Sequence, residues 1–330
     1  MSDSTSYNVG PPLDGDPSEF ISDKELLGDI LEEEYYTSQV VRNRKSYFET
    51  PKDKLFTQSF LPLEGEIKGT VYCYRGGRTC TSKGSAVPQY EKRNFRLWQQ
   101  NIFKLRIIYY YLLIYASDNQ KCSHGSKICM SFSTWGYAVF TANLLGHGRS
   151  DGIRCYMGDM KKVPATSLSF FKHARCSDPF RICISLLFSL DMKPSKPHLL
   201  ADTWTAMLDN KMVGKAIHHP EKLKIIASNP QRYTGKPRVR TMREILRKTQ
   251  YVQDNFGRVI IPLMTVHGTY DGVTCPSSST LLYEKASRTD KTLKLYDGMY
   301  HSLIQGEPEE NAATVLKDMR EWIDERVKRY

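Results

Sequence analysis

Two polar residues thirty positions apart stand where chemistry could be done. Asp271 follows the apolar run LMTVHG in a glycine-flanked turn, and His301 lies in GMYHSL, directly after the strand-like TLKLY. A carboxylate beside an imidazole orients the ring and stabilises its protonated form. The imidazole can then take a proton from a hydroxyl nucleophile. The chemistry that suits the pair is acyl transfer.

Such a pair needs rigid elements to hold it. IPLMTVHGTYDG reads as a strand ending in a turn, PSSSTLLYEKAS as a short helix, TLKLY as a strand and NAATVLKDMREWIDERVK as a long helix. In that helix Ala312, Val315, Leu316, Met319, Trp322, Ile323 and Val327 form one apolar stripe. Strand, helix, strand, helix predicts a mostly parallel sheet with covered faces, and ligand-handling groups of such sheets gather at the carboxyl ends of the strands. Asp271 and His301 would both sit there. Upstream, KLFTQSFLP and IKGTVYCY predict two early strands, and YAVFTANLLGHGRSDG an apolar strand running into a Gly-rich turn.

Three segments break this rhythm. Residues 1–34 are acidic and lack an apolar period, which predicts a disordered tail before a domain over 35–330. Residues 191–250 are polar and helix-rich, either a helical cap over the sheet edge or a pair of peripheral helices. Residues 75–126 form a basic insert. Within it FRLWQQNIFKLRIIYYYLLIY places Phe95, Trp98, Ile102 and Leu105 at helical spacing and ends in an uncharged run of β-formers.

Composition narrows the function classes. The chain has 330 residues, 40% hydrophobic and 25% charged, as ordinary globular proteins do. No apolar run approaches the roughly 20 residues of a membrane span, and the N-terminus lacks a signal-peptide pattern, so a cytoplasmic protein is expected. Eight scattered cysteines without CxxC spacing read as reduced thiols, Cys155, Cys176 and Cys275 among them, and no metal cluster is visible. The net charge of +11 comes largely from residues 75–127, where ten Lys and Arg face two acids. No nucleic-acid motif accompanies it.

The order acid then base is that of the α/β-hydrolases, whose serine stands upstream on a G-x-S-x-G elbow. The tight turn of an elbow needs small neighbours. Ser185 and Ser189, in RICISLLFSLDM, sit instead among Leu, Ile and Phe. The expectation is therefore that no G-x-S-x-G occurs anywhere in the chain, and that it lacks the elbow and its nucleophilic serine altogether.

Longer blocks carry a resemblance. EEEYYTSQVVRNRKSYFETPKDKLFTQSFLPLEGEIKGTVY, ATSLSFFKHARCSDP, DNKMVGKAI, IIASNPQRYTGKPRV and EKASRTDKTLKLYDGMYHSLIQGEPEENA closely resemble plant caffeoylshikimate esterases, in the monoacylglycerol lipase-like, or lysophospholipase-like, branch of the serine hydrolases. The resemblance covers about residues 32–73 and 127–330, with gaps. It implies an α/β-hydrolase with a helical cap, a Ser-Asp-His triad and no cofactor, with Asp271 and His301 as acid and base. The implied partner is a small-molecule ester: caffeoyl shikimate, a monoacylglycerol or a lysophospholipid.

Three departures bear on activity. After CSDP, where the family carries its elbow with the strand and helix around it, Pro179 leads through FRICISLLFSL into DMKPSK. After GTVY, where the family has a His-Gly oxyanion motif, this chain reads CYRGGRTC, with Gly76 and Gly77 able to form a turn. Residues 75–126 have no family counterpart, which leaves a basic membrane-surface helix with peripheral membrane contact, or sequence foreign to the fold such as a retained intron. LGHGRSDG resembles a family loop, with Asn143 in place of the usual Asp and His147 in a structural part. Three outcomes stay open: an ester hydrolase, a ligand-binding homologue without its nucleophile, or a defective product.

Overall fold

The strand LMTVHG is buried at every position, and YAVFTAN at all but its last, Asn143. Strands apolar on both faces need covering layers on both sides, and the chain provides them. In a computed structural model, residues 32–51, 53–75, 109–114, 127–152, 166, 170, 181–186, 213–227 and 239–329 are described. Helix α1 (Glu32–Ser38) precedes strands β1 (Val41–Glu49), β2 (Lys54–Pro62), β3 (Gly69–Arg75) and β4 (Tyr109–Ile114). Then come α2 (Lys127–Thr134), β5 (Tyr137–Asn143), β6 (Arg181–Leu186), α3 (Val213–Ala216), α4 (Pro220–Ala227) and α5 (Val239–Asp254). Strand β7 (Leu263–Gly268), α6 (Pro276–Lys285), β8 (Lys291–Tyr296) and α7 (Glu309–Arg329) complete the described elements.

The eight strands form one sheet in the order β1-β2-β5-β3-β4-β6-β7-β8. The β1/β2 and β2/β5 pairs are antiparallel and the others parallel. Both edges carry cations, Arg42, Arg44 and Lys45 on β1 and Lys291 and Lys294 on β8, which discourages pairing with another sheet.

Along β7 the side chains alternate. Met264 and Val266 join the main core with α2 (Ile128, Cys129, Phe132) and α7, where Ala312, Val315, Leu316, Met319, Trp322 and Ile323 are buried and Val327 packs beside them. Leu263 points the other way and packs with Leu282 and Ala286 of α6 and its C-terminal end. The apolar stripe of the last helix thus lies against one sheet face, and α6 covers the other.

Residues 109–114, from within the basic segment 75–126, are strand β4 at the centre of the sheet. Tyr109–Ile114 pairs in register with Arg181–Leu186 on one side, and its first four residues pair with Thr70–Cys73 on the other. The β-forming run thus supplies a central strand. Ser185 lies within β6, opposite Leu113 and Thr265, and not on a turn. Helices α3, α4 and α5 fall inside, or begin inside, the 191–250 stretch. The acidic stretch 1–31, the Phe95–Leu105 helical spacing, Gly76, Gly77, Ser189, Cys155 and Cys176 lie outside the described residues.

Candidate active site

Strand β7 delivers the acid. Beyond Gly268 the chain turns, and Asp271 closes the turn on itself: its Oδ1 accepts hydrogen bonds from the backbone N–H groups of Val273 (2.7 Å) and Thr274 (2.9 Å). That local turn leads into α6, which opens with Cys275 as N-cap and Pro276 at its start. The other oxygen, Oδ2, accepts from Thr274 Oγ1 at 2.6 Å and meets two imidazoles, His301 Nδ1 at 2.8 Å and His267 Nε2 at 3.0 Å. Burial by itself would push this carboxyl up. The hydrogen bonds from His267 and His301, the His301 charge and the Thr274 hydroxyl outweigh it and hold Asp271 well below the usual carboxylate range.

The base hangs from the loop after β8. Gly298 has φ +70°, a left-handed turn that suits a residue without Cβ. The two turns are stitched together: Thr269 Oγ1 donates to Asp297 Oδ1 and accepts from Gly298 N, while Tyr270 N donates to Met299 O at 3.0 Å. Gly268 permits their close approach, since a Cβ there would lie 2.2 Å from Met299 O. His301 and Asp271 side chains are 6% and 3% exposed, so their contact is shielded from solvent. With Nδ1 engaged by Asp271, Nε2 is the ring atom through which His301 could take a proton.

A further layer holds the base loop. Glu307, fully buried, accepts from Tyr300 N (2.7 Å), His218 Nδ1 (2.8 Å) and Asn311 Nδ2 (3.0 Å). The His218 ring stacks on Tyr300 with centroids 4.7 Å apart. Ser302 N donates to Ala216 O, and the N–H groups of His218 and His219 both donate to Gly306 O. Val273, beside the acid, packs with Ala216, Ile217 and Leu223. The α3–α4 segment thus touches the loops of both acid and base. Sequence pattern singled out neither Glu307 nor His267. The one available sign of Glu307 was its place in GEPEEN, just ahead of a long helix.

The expectation that no G-x-S-x-G exists in the chain is wrong, because Gly148-Arg149-Ser150-Asp151-Gly152, inside LGHGRSDG, satisfies it letter for letter. Its surroundings are not those of an elbow. Ser150 Oγ donates to Asn143 O and accepts from Phe56 N, each at 2.9 Å, and Asp151 Oδ2 accepts from Lys54 N. The string fastens the end of β5 to β2. Among the described residues only Val40 is a non-glycine with positive φ, so Ser150 has no left-handed strain projecting it outward. In the strand order β5 lies four spacings of about 4.8 Å from β7, which puts Ser150 on the order of 19 Å to the side of the acid strand. Gly148 is needed locally, for a Cβ there would meet Asn143 Nδ2 at 2.0 Å. In the same loop His147 is buried, with Nδ1 2.9 Å from Leu145 O. Cys275 Sγ lies 2.9 Å from Ser277 Oγ at the start of α6.

Comparison with known proteins bears on the origin of this site. Caffeoylshikimate esterase of Arabidopsis thaliana is 59% identical to the chain, over 92% of each. The chain belongs to the caffeoylshikimate esterase family. Within that family of α/β-hydrolases, residues 192–309 also match the family described as Serine aminopeptidase, S33. A soluble variant of monoglyceride lipase from Saccharomyces cerevisiae, solved with a substrate analogue, has the same fold with a TM-score of 0.57 at 17% identity, covering 86% of this chain and 94% of that one. A lipase in open form reaches 0.58 at 13% identity over 86% and 99%. Among the described residues of this family member, no His, Cys, Asp and Glu cluster is arranged to hold a metal, and no helix is long and apolar enough to cross a membrane.

Proposed function

We propose that this chain binds a small-molecule ester, caffeoyl shikimate or an acyl ester such as a monoacylglycerol or lysophospholipid, and does not hydrolyse it through an acyl-enzyme. The observation that carries this is the buried Asp271–His301 contact at 2.8 Å in a chain whose single G-x-S-x-G string is tied down between β5 and β2. In a serine hydrolase the acid orients the imidazole, the imidazole deprotonates the serine, and the serine attacks the ester carbonyl. Here the first two parts stand together, and among the described residues no serine stands on an elbow beside them. Family membership supports an ester as the ligand, and the scattered cysteines support a cytoplasmic site of action.

Hydrolysis is the second reading, favoured by the completeness of the hydrogen bonding around Asp271, which a protein without use for a base does not need. Titration calorimetry and product release with caffeoyl shikimate and with a monoacylglycerol decide between them. Saturable binding without release of caffeate or fatty acid is expected. Turnover abolished by Asp271→Asn and by His301→Ala would establish hydrolysis instead, and absence of both binding and turnover would overturn the ester-site assignment.

A further inference from the structure

The acid has a second histidine that the hydrolase scheme does not use. His267 sits on β7 at 4% exposure, on the strand face that meets α6. Its Nε2 lies 3.0 Å from Asp271 Oδ2 and its Nδ1 2.7 Å from Ser279 Oγ, and Ser279 is fully buried. Thr274 Oγ1, 3.3 Å from Nε2, gives its proton to Asp271 instead. An ionised carboxylate only accepts, so the proton of a neutral ring must be on Nε2. Nδ1 is then an acceptor, which the Ser279 hydroxyl satisfies. Among the described residues, the ionisable groups hydrogen-bonded to this ring or sharing its partner oxygen are Asp271 and His301.

We infer that His267 is a positioning residue for the acid: held in its Nε2–H tautomer by the Asp271 carboxylate, with Ser279 donating to Nδ1, it fixes Asp271 Oδ2 and takes a share of the negative charge that His301 would otherwise draw on. Asp271 Oδ2 therefore serves two imidazoles, and its hydrogen bond with His301 is weaker than it would be with the oxygen undivided. A residue with a merely packing role would leave that hydrogen bond unchanged. This inference rests on the proposed pairing of Asp271 with His301.

The test is NMR of the full chain labelled in its histidine rings. In wild-type protein the long-range nitrogen–proton spectrum of His267 should show the Nε2–H tautomer; an Nδ1–H tautomer overturns the inference without any variant. In His267→Leu the Nδ1–H proton signal of His301 should move downfield, the mark of a stronger hydrogen bond to a carboxylate oxygen that is no longer shared. His267→Gln, whose amide can still donate to Asp271, should give less than half of that shift. An unmoved His301 signal in His267→Leu overturns the role, and should that variant fail to fold, His267→Phe, which keeps the ring volume without a donor, supplies the check by moving the signal the same way. Asp271→Asn separates the two levels of the argument. If it leaves His301 unmoved the acid–base pairing itself fails, whereas a shift there with none in His267→Leu removes only His267.

Discussion

Replacing Glu307 by alanine should unfasten the loop that carries His301. The carboxylate is fully buried and accepts from Tyr300 N, His218 Nδ1 and Asn311 Nδ2, at 2.7, 2.8 and 3.0 Å. A hydrogen bond to a charged group contributes about 1.5–3 kcal/mol when both partners are buried. The Tyr300 and Asn311 bonds come near that range, while His218, 43% exposed, is screened by water and adds less. Because the three donors share one residue their losses do not add, and the net cost is about 3–5 kcal/mol, as for breaking other buried charged contacts. For a chain of this size each kcal/mol lowers the melting temperature by roughly 2–4 °C, so Glu307→Ala should melt roughly 6–15 °C below wild type. Glu307→Gln, which keeps an oxygen toward Tyr300 N, should lose less than half as much. Differential scanning calorimetry measures the melt, and hydrogen exchange of the Tyr300 to Leu303 amides should accelerate alongside it. A Glu307→Ala melt within about 2 °C of wild type would refute the claim that this carboxylate fastens the loop.

Two further perturbations probe the same region. Gly268→Ala puts a methyl 2.2 Å from Met299 O and should cost roughly 1–3 kcal/mol or more by forcing the acid and base turns apart, read from the urea unfolding midpoint. For Asp271 the pH sign follows from its depressed carboxyl. Its stabilising contribution is fully present above the unfolded value of about 3.9 and declines as pH falls from there toward the folded value. The stability difference between wild type and Asp271→Asn, from denaturant curves, should therefore shrink as pH falls below about 4. A difference that does not shrink there would contradict the hydrogen-bonded carboxylate at Asp271.

The strand at the centre of the sheet shows how pattern and context divide the work. IIYYYLLIY is rich in β-formers, and a strand within it needed only that local preference. Its neighbours could not be read in the same way. Pairing of Tyr109–Ile114 with β3 and β6 joins segments about forty and seventy residues away, and a strand apolar at every position specifies no partner. The string Gly148–Gly152 makes the complementary point. Its letters match an elbow, and only the bonds from Ser150 to Asn143 and Phe56 show that it closes a loop.

The sequence by itself determined the strand–helix alternation of the C-terminal third, the apolar stripe of α7, and the placing of Asp271 and His301 at consecutive strand ends. These are local, because side-chain period and turn residues report on elements a few residues long. Tertiary structure alone decided that His267 shares the Asp271 carboxylate, that Glu307 holds Tyr300 and His218 together, and that Ser150 stands apart from His301. Those contacts depend on through-space distances between strand ends and loops far apart in the chain, and hydrogen bonds that act only near 3 Å leave no periodic trace in the order of residues.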